Sequence, residues 1–569
     1  MLYSELCELY ARLEKTSKRL EKTEILADFL GKLKREKDRK VEEGVMHLLR
    51  GRIFPDYSDH EIGISSQLTM KALARAVGSS GEEVNKLWKK LGDLGDVAEA
   101  MIAKKQQHTL FSEKLGAEKV LQNLQGLILF IGHGTVDKKI GLIVELLTSA
   151  SALEAKYLVR TLLGDLRIGL GEGVMRDALV WSCFGRDVGK EVFDEVQNAY
   201  NIANDFAAVF LHAQKGIASL KEIMMEPGRP VKVMLALKAS SIEGGFEEVG
   251  KPAAFEFKYD GFRVMINKTE DGNISLFTRR LENVTSQFPE IVEYVRGHVK
   301  GKSFILDAEA VGFDPRKKVY RPFQDISQRI KRKYEIEKLR KELPVEVNVF
   351  DVLFYDGKNL IREPFHKRRA LLEKIVKPEL WKIKLSEILI TDDAGKAELF
   401  YARALEEGEE GLMIKSLDAP YKPGARVGYM LKLKPADKEF DLVIVGAEYG
   451  TGKRGGWLSS YTVACQHEGQ FLEIGKVSTG LKEKEEEGLS FVELTRLLKP
   501  LILEEHGREV RVKPEIIVTV VYQNIQKSLK YGSGYALRFP RVTRMRSDRG
   551  VEDIAFLKEI EKEANLSSK

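Results

Sequence analysis

The sequence predicts a multidomain protein that combines an all-α part, an α+β part and a small β-barrel. The chain of 569 residues is several times longer than one typical domain, so about two to four separately packed cores are expected. Its apolar residues repeat at helical spacing in the first part and alternate in the later parts. Hydrophobic residues make up 43% and charged residues 31% of the chain, an ordinary balance that excludes wholesale disorder.

The first predicted domain, residues 1–228, is all-α. Leu6, Leu9 and Leu13 recur at the spacing that places side chains on one face of a helix, and similar patterns continue for most of this region. Two prolines and a glycine within residues 225–230 break the helical period and predict a linker.

Alternating apolar and polar residues replace the helical period after residue 228. Such runs, separated by glycine and aspartate turn signals, predict an α+β domain over residues 229–434. Shorter strands of similar pattern, with one helix near residues 491–498, predict a small β-barrel over residues 435–569.

Composition narrows the class of protein. No run of about 18 apolar residues is present and the first residues lack a leader pattern, so we expect a cytoplasmic protein without membrane spans. Cys7, Cys183 and Cys465 are far apart without CxxC spacing, which excludes a disulfide framework and a zinc cluster. The net charge of +6 permits a polyanionic partner, although it indicates one only weakly.

A lysine between two acids is the first candidate for chemistry. Strand alternation over residues 255–260 places Glu256, Lys258 and Asp260 on one face and three aromatic residues on the other. A KxDG pattern is short enough to occur by chance, so a surface hairpin explains it equally well on its own.

Further polar segments follow in the alternating region. Asp307 and Glu309 lie on one face of an otherwise apolar strand, where buried acids need a function or a partner. Lys432 and Lys434 share the face of a later strand, and such a pair of cations favours phosphate binding. The remaining segments of the series are 277–280, 349–351, 410–415 and 423–426.

Taken in order, these segments resemble the motifs of the nucleotidyltransferase superfamily, and closely those of ATP-dependent DNA ligases of the archaeal and eukaryotic replicative type. The resemblance covers nearly the whole chain and includes a basic closing signature at residues 538–549. It implies a DNA-binding domain, an adenylation domain and an OB-fold domain in that order. It further implies sealing of 5′-phosphate/3′-hydroxyl nicks in duplex DNA through a lysyl-AMP intermediate, in replication, repair and recombination.

The resemblance also implies roles for residues that match the motifs. Lys258 would take AMP from ATP, with Asp260 beside it. Glu256 would read adenine and Phe350 would stack on its ring, although an aromatic residue in an apolar strand is more often core. Arg263 and Arg279 would contact ribose and phosphate.

Metal and phosphate contacts are implied in the same way. Glu309 resembles a ribose or metal ligand and Glu410 a second metal carboxylate, so Mg²⁺ or another divalent metal is expected. The implied phosphate clamp consists of Lys415, Arg426, Lys432 and Lys434. In the family, the positions of Arg541, Arg544 and Arg546 lie on a mobile domain that closes over ATP and later grips DNA.

Two further segments suggest macromolecular partners of a protein that we expect to be monomeric. The region 160–169 is similar to the part of the family's helical domain that contacts DNA, with ordinary helix-connecting turns as the alternative. Gln107, Leu110 and Phe111 resemble a shortened sliding-clamp-binding peptide, although a helix end packed by its apolar residues explains them as well.

Three other functions have to be distinguished from DNA ligation. A capping-type guanylyltransferase and an RNA ligase share the lysine adduct and strand motifs, but the large helical region before Lys258 and the signature at 538–549 favour a DNA ligase. A non-catalytic DNA-binding scaffold is disfavoured because Lys258, Glu309 and Glu410 are all of the reactive type.

Overall fold

The computed structural model describes the chain apart from residues 56, 59–61, 105–113, 131–133, 333, 436–437, 451–453, 455, 484–488 and 567–569. The described chain divides into two compact units, Met1–Lys434 and Pro435–Lys569. The segment with Gln107, Leu110 and Phe111 lies outside the described residues, so its sliding-clamp role stays a prediction.

The first unit begins with a helical region. Its helices bury their apolar faces in one cluster that includes Leu6, Leu9 and Leu13, so the predicted all-α part is confirmed. None of the helices described has the length and apolar character needed to cross a membrane. The helices are α1 (Tyr3–Glu14), α2 (Arg19–Leu33), α3 (Arg39–Leu48), α4 (Ser66–Val77), α5 (Gly81–Leu91), α6 (Leu94–Ala103), α7 (Ala117–Gly126), α8 (Val136–Ser149), α9 (Ala152–Leu162), α10 (Glu172–Phe184), α11 (Lys190–Ala203), α12 (Phe206–Ala213) and α13 (Ile217–Leu220).

The rest of the first unit contains two sheets with helices, as expected for an α+β part. Its strands are β1 (Leu235–Lys238), β2 (Ala253–Lys258), β3 (Phe262–Lys268), β4 (Ile274–Thr278), β5 (Phe304–Asp314), β6 (Val319–Tyr320), β7 (Val345–Tyr355), β8 (Lys358–Asn359), β9 (Ile383–Leu385), β10 (Ile388–Thr391), β11 (Gly411–Ser416) and β12 (Arg426–Leu433). Its helices are α14 (Ile242–Val249), α15 (Pro289–His298), α16 (Phe323–Ile330), α17 (Ile336–Glu342), α18 (Phe365–Ile375) and α19 (Ala394–Glu406).

The two sheets meet where β2 leads into β3. One sheet has the strand order β1-β12-β11-β2-β10, and the other has the order β4-β3-β5-β7-β8, with β6 on β5 and β9 on β7. An apolar cluster that includes Met234, Met265 and Met430 lies between strands of the two sheets. Separate clusters cover the outer faces, where α14 and α19 pack on the first sheet and α15 and α18 on the second. The short connection after Lys258 therefore lies where one sheet passes into the other.

The second unit is a mainly antiparallel β-structure. β13 pairs with β14 along one side and with both β17 and β18 along the other, and β21 pairs with β18. Its strands are β13 (Lys438–Tyr449), β14 (Leu458–His467), β15 (Gln470–Val477), β16 (Ile502–His506), β17 (Glu509–Val512), β18 (Ile517–Tyr522), β19 (Ile525–Lys527), β20 (Tyr535–Leu537) and β21 (Arg541–Met545), with helices α20 (Phe491–Leu498) and α21 (Leu557–Leu566). The OB-fold assignment and the two boundaries between the three predicted domains stay predictions.

Candidate active site

Lys258 ends β2 at the junction of the two sheets. Its side chain is 23% exposed, and its Nζ lies 2.5 Å from Oε2 of Glu410. The Nζ of Lys434 lies 2.5 Å from the same oxygen, so one carboxylate holds two ammonium groups. Burial opposes ionisation of Glu410, but the charges of Lys258 and Lys434 outweigh it and lower the pKa of Glu410 to about 2.

Strand pairing explains why these three side chains meet. Gly411 pairs with Lys258 on one side, and the next residue pairs with Leu433 on the other. A Cβ at Gly411 would lie 2.2 Å from the carbonyl oxygen of Leu433, and φ at this glycine is +133°. Only glycine fits this close approach. The glycine at this position allows Glu410 to lie between the ends of β2 and β12.

More cations surround this ion pair. Burial is the main cause of a lowered pKa at Lys432, and the nearby charges of Lys434 and Lys258 lower the pKa further, with Arg426 and Arg279 contributing. In the part of the chain that the structure describes, no carboxylate forms an ion pair with Lys432. Arg279 and Arg426 are exposed. Fixed positive charge that is accessible from solvent suits the oxygens of a phosphate group.

Glu309 is a partly exposed position within the otherwise buried strand β5. It is paired in register with Arg263 on β3. Burial raises the pKa of Glu309 to about 8, against the opposing charges of Lys258 and Arg263, while Glu410 raises it further. Glu309 thus lies within electrostatic range of both Lys258 and Glu410.

Phe350 lies at an irregularity of the second sheet. Asp307 pairs with Asp351 and Ala308 with Val349, so Phe350 is the extra residue of a β-bulge. Bulges redirect a side chain out of the regular alternation. Phe350 is accordingly half-buried in a buried strand, with the guanidinium of Arg263 5.3 Å and the Nζ of Lys415 5.0 Å from its ring centroid.

Glu256 is buried, with 2% of its surface exposed. It forms an ion pair with Lys415, accepts a hydrogen bond from Ser386 Oγ at 2.9 Å, and lies 3.4 Å from Nη1 of Arg369. Lys415 therefore lies beside Glu256 and Phe350. The contacts of Ser386 and Arg369 with Glu256 were not indicated by the sequence. A buried acid indicates that partners exist, but nothing in the sequence identifies partners so far away along the chain.

Arg263 is held from several directions. Its guanidinium donates two hydrogen bonds to the Asp307 carboxylate, at 2.8 Å and 2.5 Å, and one to the carbonyl of Met234 at 2.8 Å. The hydroxyl of Tyr421 donates to Asp307 at 2.8 Å. Burial opposes the charge of Arg263, but Asp307 outweighs it and the pKa of Arg263 is raised. The sequence marked Asp307 as a buried acid without assigning its partner, and it gave no signal for Tyr421.

Asp260 organises the turn after Lys258. Its backbone N–H donates to Oε2 of Glu409 at 3.2 Å, and its carboxylate accepts a hydrogen bond from the backbone N–H of Phe323 at 3.2 Å. Glu410 also donates its backbone N–H to the carbonyl of Lys258 at 2.8 Å. Glu409 and Glu410 therefore bind the turn through both backbone and side-chain contacts.

Three arginines of the closing signature, Arg541, Arg544 and Arg546, lie on or next to β21 in the second unit. Arg544 donates to Thr519 at 3.1 Å and to Glu439 at 2.9 Å. Arg546 donates to Asp441 at 2.8 Å and pairs with an acid two residues along the chain. Arg541 begins the strand and is exposed. Arg544 and Arg546 are therefore held by ion pairs within their own unit.

The site offers a primary amine held beside a carboxylate, cations suited to phosphate, and a half-exposed ring flanked by fixed polar groups. Nucleophilic transfer of a phosphoryl-containing group requires such a combination. Among the described residues, no group of three or more His, Cys, Asp or Glu side chains is arranged to hold a metal ion.

Comparison with known protein families gives matches along most of the chain. A family model described as ATP dependent DNA ligase domain matches residues 233–434. A model described as DNA ligase N terminus matches residues 2–180, and one described as ATP dependent DNA ligase C terminal region matches residues 454–549.

Similar proteins extend over nearly the full length. A DNA ligase of Nanoarchaeum equitans is 45% identical over 560 residues, covering 97% of this chain and 96% of the relative. A DNA ligase of Thermococcus fumicolans is 41% identical over 556 residues, with 97% and 96% covered. A solved structure titled Pmar-Lig_PreS3 shares the fold, with a TM-score of 0.55 and 17% identity over 95% of this chain and 99% of that one.

Proposed function

The chain belongs to the ATP-dependent DNA ligases, enzymes that seal nicks in DNA, and we propose that Lys258 is the residue that carries the adenylate. The observation that supports this most strongly is the position of its amine, which lies 2.5 Å from Glu410 and close to the cations Lys434 and Lys432. An amine in this position can approach a phosphate that those cations hold.

The proposed reaction has three steps. The Lys258 amine attacks the α-phosphorus of ATP, a P–N bond forms, and pyrophosphate leaves. An oxygen of the 5′-phosphate at the nick then attacks the same phosphorus, a P–O bond forms, and the lysine amine is released. Finally the 3′-hydroxyl attacks the 5′-phosphate, which closes the phosphodiester bond and releases AMP. Fixed cations stabilise the charge that develops on the phosphate oxygens in each step.

An amine is nucleophilic only when it has lost its extra proton. Glu410 is the group within hydrogen-bonding distance of that proton, and it also fixes where the amine lies. Lys434 shares the same oxygen. A triphosphate that attracts Lys434 would leave Glu410 to Lys258 alone and would remove one of the two charges that hold the pKa of Glu410 low, so the carboxylate beside the reacting nitrogen would become a better proton acceptor.

We assign recognition of adenosine to the part of the site that contains Phe350, Glu256 and Arg263. The ring of Phe350 is half-exposed and offers a stacking surface for adenine. Glu256 would read the base, because its partners Ser386 and Arg369 hold its carboxylate in one place. Arg263 would meet the ribose, with its guanidinium fixed by hydrogen bonds to Asp307.

Glu309 and Glu410 fit a divalent metal such as Mg²⁺. Hard cations prefer carboxylate oxygens, and a bound cation would lower the pKa of Glu309, which burial raises to about 8, and would so favour the ionised form. When bound, the metal would neutralise charge on phosphate oxygens. Arg279, Arg426, Lys432 and Lys434 would contribute the remaining positive charge around those oxygens, whereas Lys415, also assigned to the clamp by resemblance, is buried against Glu256.

The second unit is proposed to be an OB-fold domain, because its antiparallel strands pair around the long strand β13. Arg541, Arg544 and Arg546 would contact the nucleotide and then DNA. Nicked duplex DNA is the proposed substrate in replication, repair and recombination. We further propose a monomer that acts in the cytoplasm and recruits a sliding clamp through Gln107, Leu110 and Phe111.

Transfer of radiolabel from ATP to the protein tests this function. Labelled protein is expected with ATP and not with GTP, and Lys258→Ala is expected to abolish labelling while the protein stays folded. Lys396→Ala, which removes an exposed lysine on α19, is the matched control and is expected to label normally. Labelling of Lys258→Ala at the level of the control would refute the assignment. A comparison of the sealing of a fluorescent nicked DNA duplex with that of a nicked RNA duplex then identifies the substrate.

A further inference from the structure

The last turn of α11, in the helical region, contacts the turn at residues 423–425 between β11 and β12. Asn201 is 5% exposed, and its Nδ2 donates a hydrogen bond to the carbonyl of Pro423 at 2.8 Å. Its Oδ1 accepts a hydrogen bond from Nε2 of Gln197 at 3.0 Å. Because both ends of the amide have partners of the correct type, its orientation is fixed.

Backbone hydrogen bonds continue this contact. The carbonyl of Asn201 accepts from the N–H of Lys232 at 3.1 Å, and the carbonyl of Lys232 accepts from the N–H of Gly424 at 3.2 Å. Helix α11, the segment before β1 and the 423–425 turn are therefore joined in one hydrogen-bonded series.

Gly424 brings the turn against the Asn201 amide. Its φ is +70°, and a Cβ at this position would lie 2.6 Å from Cγ of Asn201. A longer side chain would have to displace an amide that is held at both ends. The turn and the helix are thus fitted to each other at this point.

Other side chains strengthen the same contact. The Nζ of Lys232 lies 2.6 Å from Oε2 of Glu172 on α10 and 4.2 Å from the ring centroid of Tyr200. The Tyr200 hydroxyl donates to Glu172 at 3.2 Å, and Nδ2 of Asn204 donates to the carbonyl of Pro230 at 2.5 Å. Several independent interactions hold the helical region to this edge of the first sheet.

The 423–425 turn leads directly into Arg426, the first residue of β12. The carbonyl of Ala425 accepts a hydrogen bond from the N–H of Leu235 at 2.8 Å, and Leu235 is paired in register with Arg426. The charge of Arg426 acts on Lys432, near the end of the same strand. The position of the turn therefore determines the position of the Arg426 backbone, from which its side chain extends.

We infer that Asn201 is a positioning residue for nucleotide binding: by holding the 423–425 turn, it orients Arg426 toward the phosphates. The inference rests on the proposed phosphate role of Arg426. It means that a helix from the first 228 residues helps to build the ATP site, so the middle of the chain does not complete that site alone.

Asn201→Asp in the full-length chain tests the inference. The aspartate keeps the size of the side chain and the bond from Gln197, but it places an oxygen against the Pro423 carbonyl. The ATP concentration for half-maximal labelling is expected to rise about tenfold, the order expected when a buried hydrogen bond is lost and its acceptor stays unpaired. Sealing of a nicked duplex that already carries AMP on its 5′-phosphate needs no triphosphate and is expected to stay within about twofold of the unaltered protein.

Asn198→Asp is the matched control, because it makes the same charge change at an exposed position one turn earlier on α11. It is expected to leave the ATP requirement unchanged. Asn201→Ala removes the amide without adding charge and serves if the aspartate variant fails to fold. The double variant Asn201→Asp with Arg426→Ala is expected to need no more ATP than Arg426→Ala alone, because the two residues act through one contact.

Three results would overturn the inference. They are an ATP requirement equal to that of Asn198→Asp, an equal loss in labelling and in sealing of the preadenylated nick, and additive effects in the double variant. Absence of label in the unaltered protein would instead refute the proposed function, so the two failures are distinguishable.

Discussion

Replacing Asp307 by asparagine is expected to lower the free energy of unfolding of the first unit by about 3 kcal/mol. Asp307 has 0% exposure and accepts two hydrogen bonds from Arg263 and one from Tyr421. An asparagine has the same shape, but its amide nitrogen cannot accept. In the better of its two orientations the nitrogen faces Nε of Arg263, so one charge-assisted bond and the negative charge are lost.

The magnitude follows from what remains around Arg263. Breaking a buried ion pair costs about 3–5 kcal/mol because one charge is left uncompensated. Arg263 still donates to the Met234 carbonyl and the Tyr421 hydroxyl, which favours the lower end of that range. Scanning calorimetry of the full-length protein measures the change, and a shift of several degrees in the first transition is expected.

Glu293→Gln is the control for this experiment. Glu293 pairs with Arg340 on the surface of the same part of the chain, and an exposed pair contributes only about 0–1 kcal/mol. A loss below about 1 kcal/mol for Asp307→Asn, equal to that of the control, would refute the reasoning that Arg263 depends on Asp307. In folded protein, Asp307→Asn is also expected to raise the ATP concentration needed for labelling, because Arg263 loses its fixed orientation.

Three further outcomes are expected. Phe350→Ala is expected to raise the ATP requirement for labelling by about tenfold through loss of ring stacking, whereas Phe350→Tyr keeps the ring and is expected to change it little. Because the pKa of Lys432 is lowered, a larger fraction of its amine is neutral at pH 8 than in an ordinary lysine. Acetylation, followed by mass spectrometry, is expected to be faster at Lys432 than at Lys434, which is ion-paired with Glu410, and equal rates would contradict this. Gly411→Ala is expected to lower the free energy of unfolding of the first unit by about 1–3 kcal/mol, because φ at this position is positive and the Leu433 carbonyl leaves no space for a Cβ. Urea unfolding measures the change, and an unchanged midpoint would refute the need for glycine at this position.

The sequence was sufficient to predict which residues of β2 and of the turn directly after it face the core. Alternation assigned Phe255, Phe257 and Tyr259 to one face, and the structure confirms this because all three belong to the apolar cluster beneath the first sheet. Local period determines the face of a strand, and burial of three aromatic side chains on that face leaves little freedom for another arrangement.

Pairings between distant segments could not be predicted in the same way. Phe350 is directed by a bulge, and no local pattern in its apolar strand marks the extra residue. The hydrogen bonds of Glu256 with Ser386 and of Asn201 with Pro423 join residues more than a hundred positions apart. These contacts depend on which strands and helices become neighbours, and periodicity carries no information about that.

The two sides of the site differ in how far they are organised before a nucleotide binds. On the side of the Phe350 ring, Glu256 and Arg263 have fixed partners that would stay in place if adenine and ribose bind there as proposed. On the phosphate side, Lys258 and Lys434 share one oxygen of Glu410. A triphosphate bound there as proposed would compete with Glu410 for Lys434, so its binding would rearrange the ion pairs. The free energy of adenosine recognition can therefore drive that rearrangement, and a nucleotide that fits the ring side poorly would fail to prepare the Lys258 amine even if its phosphates were held equally well.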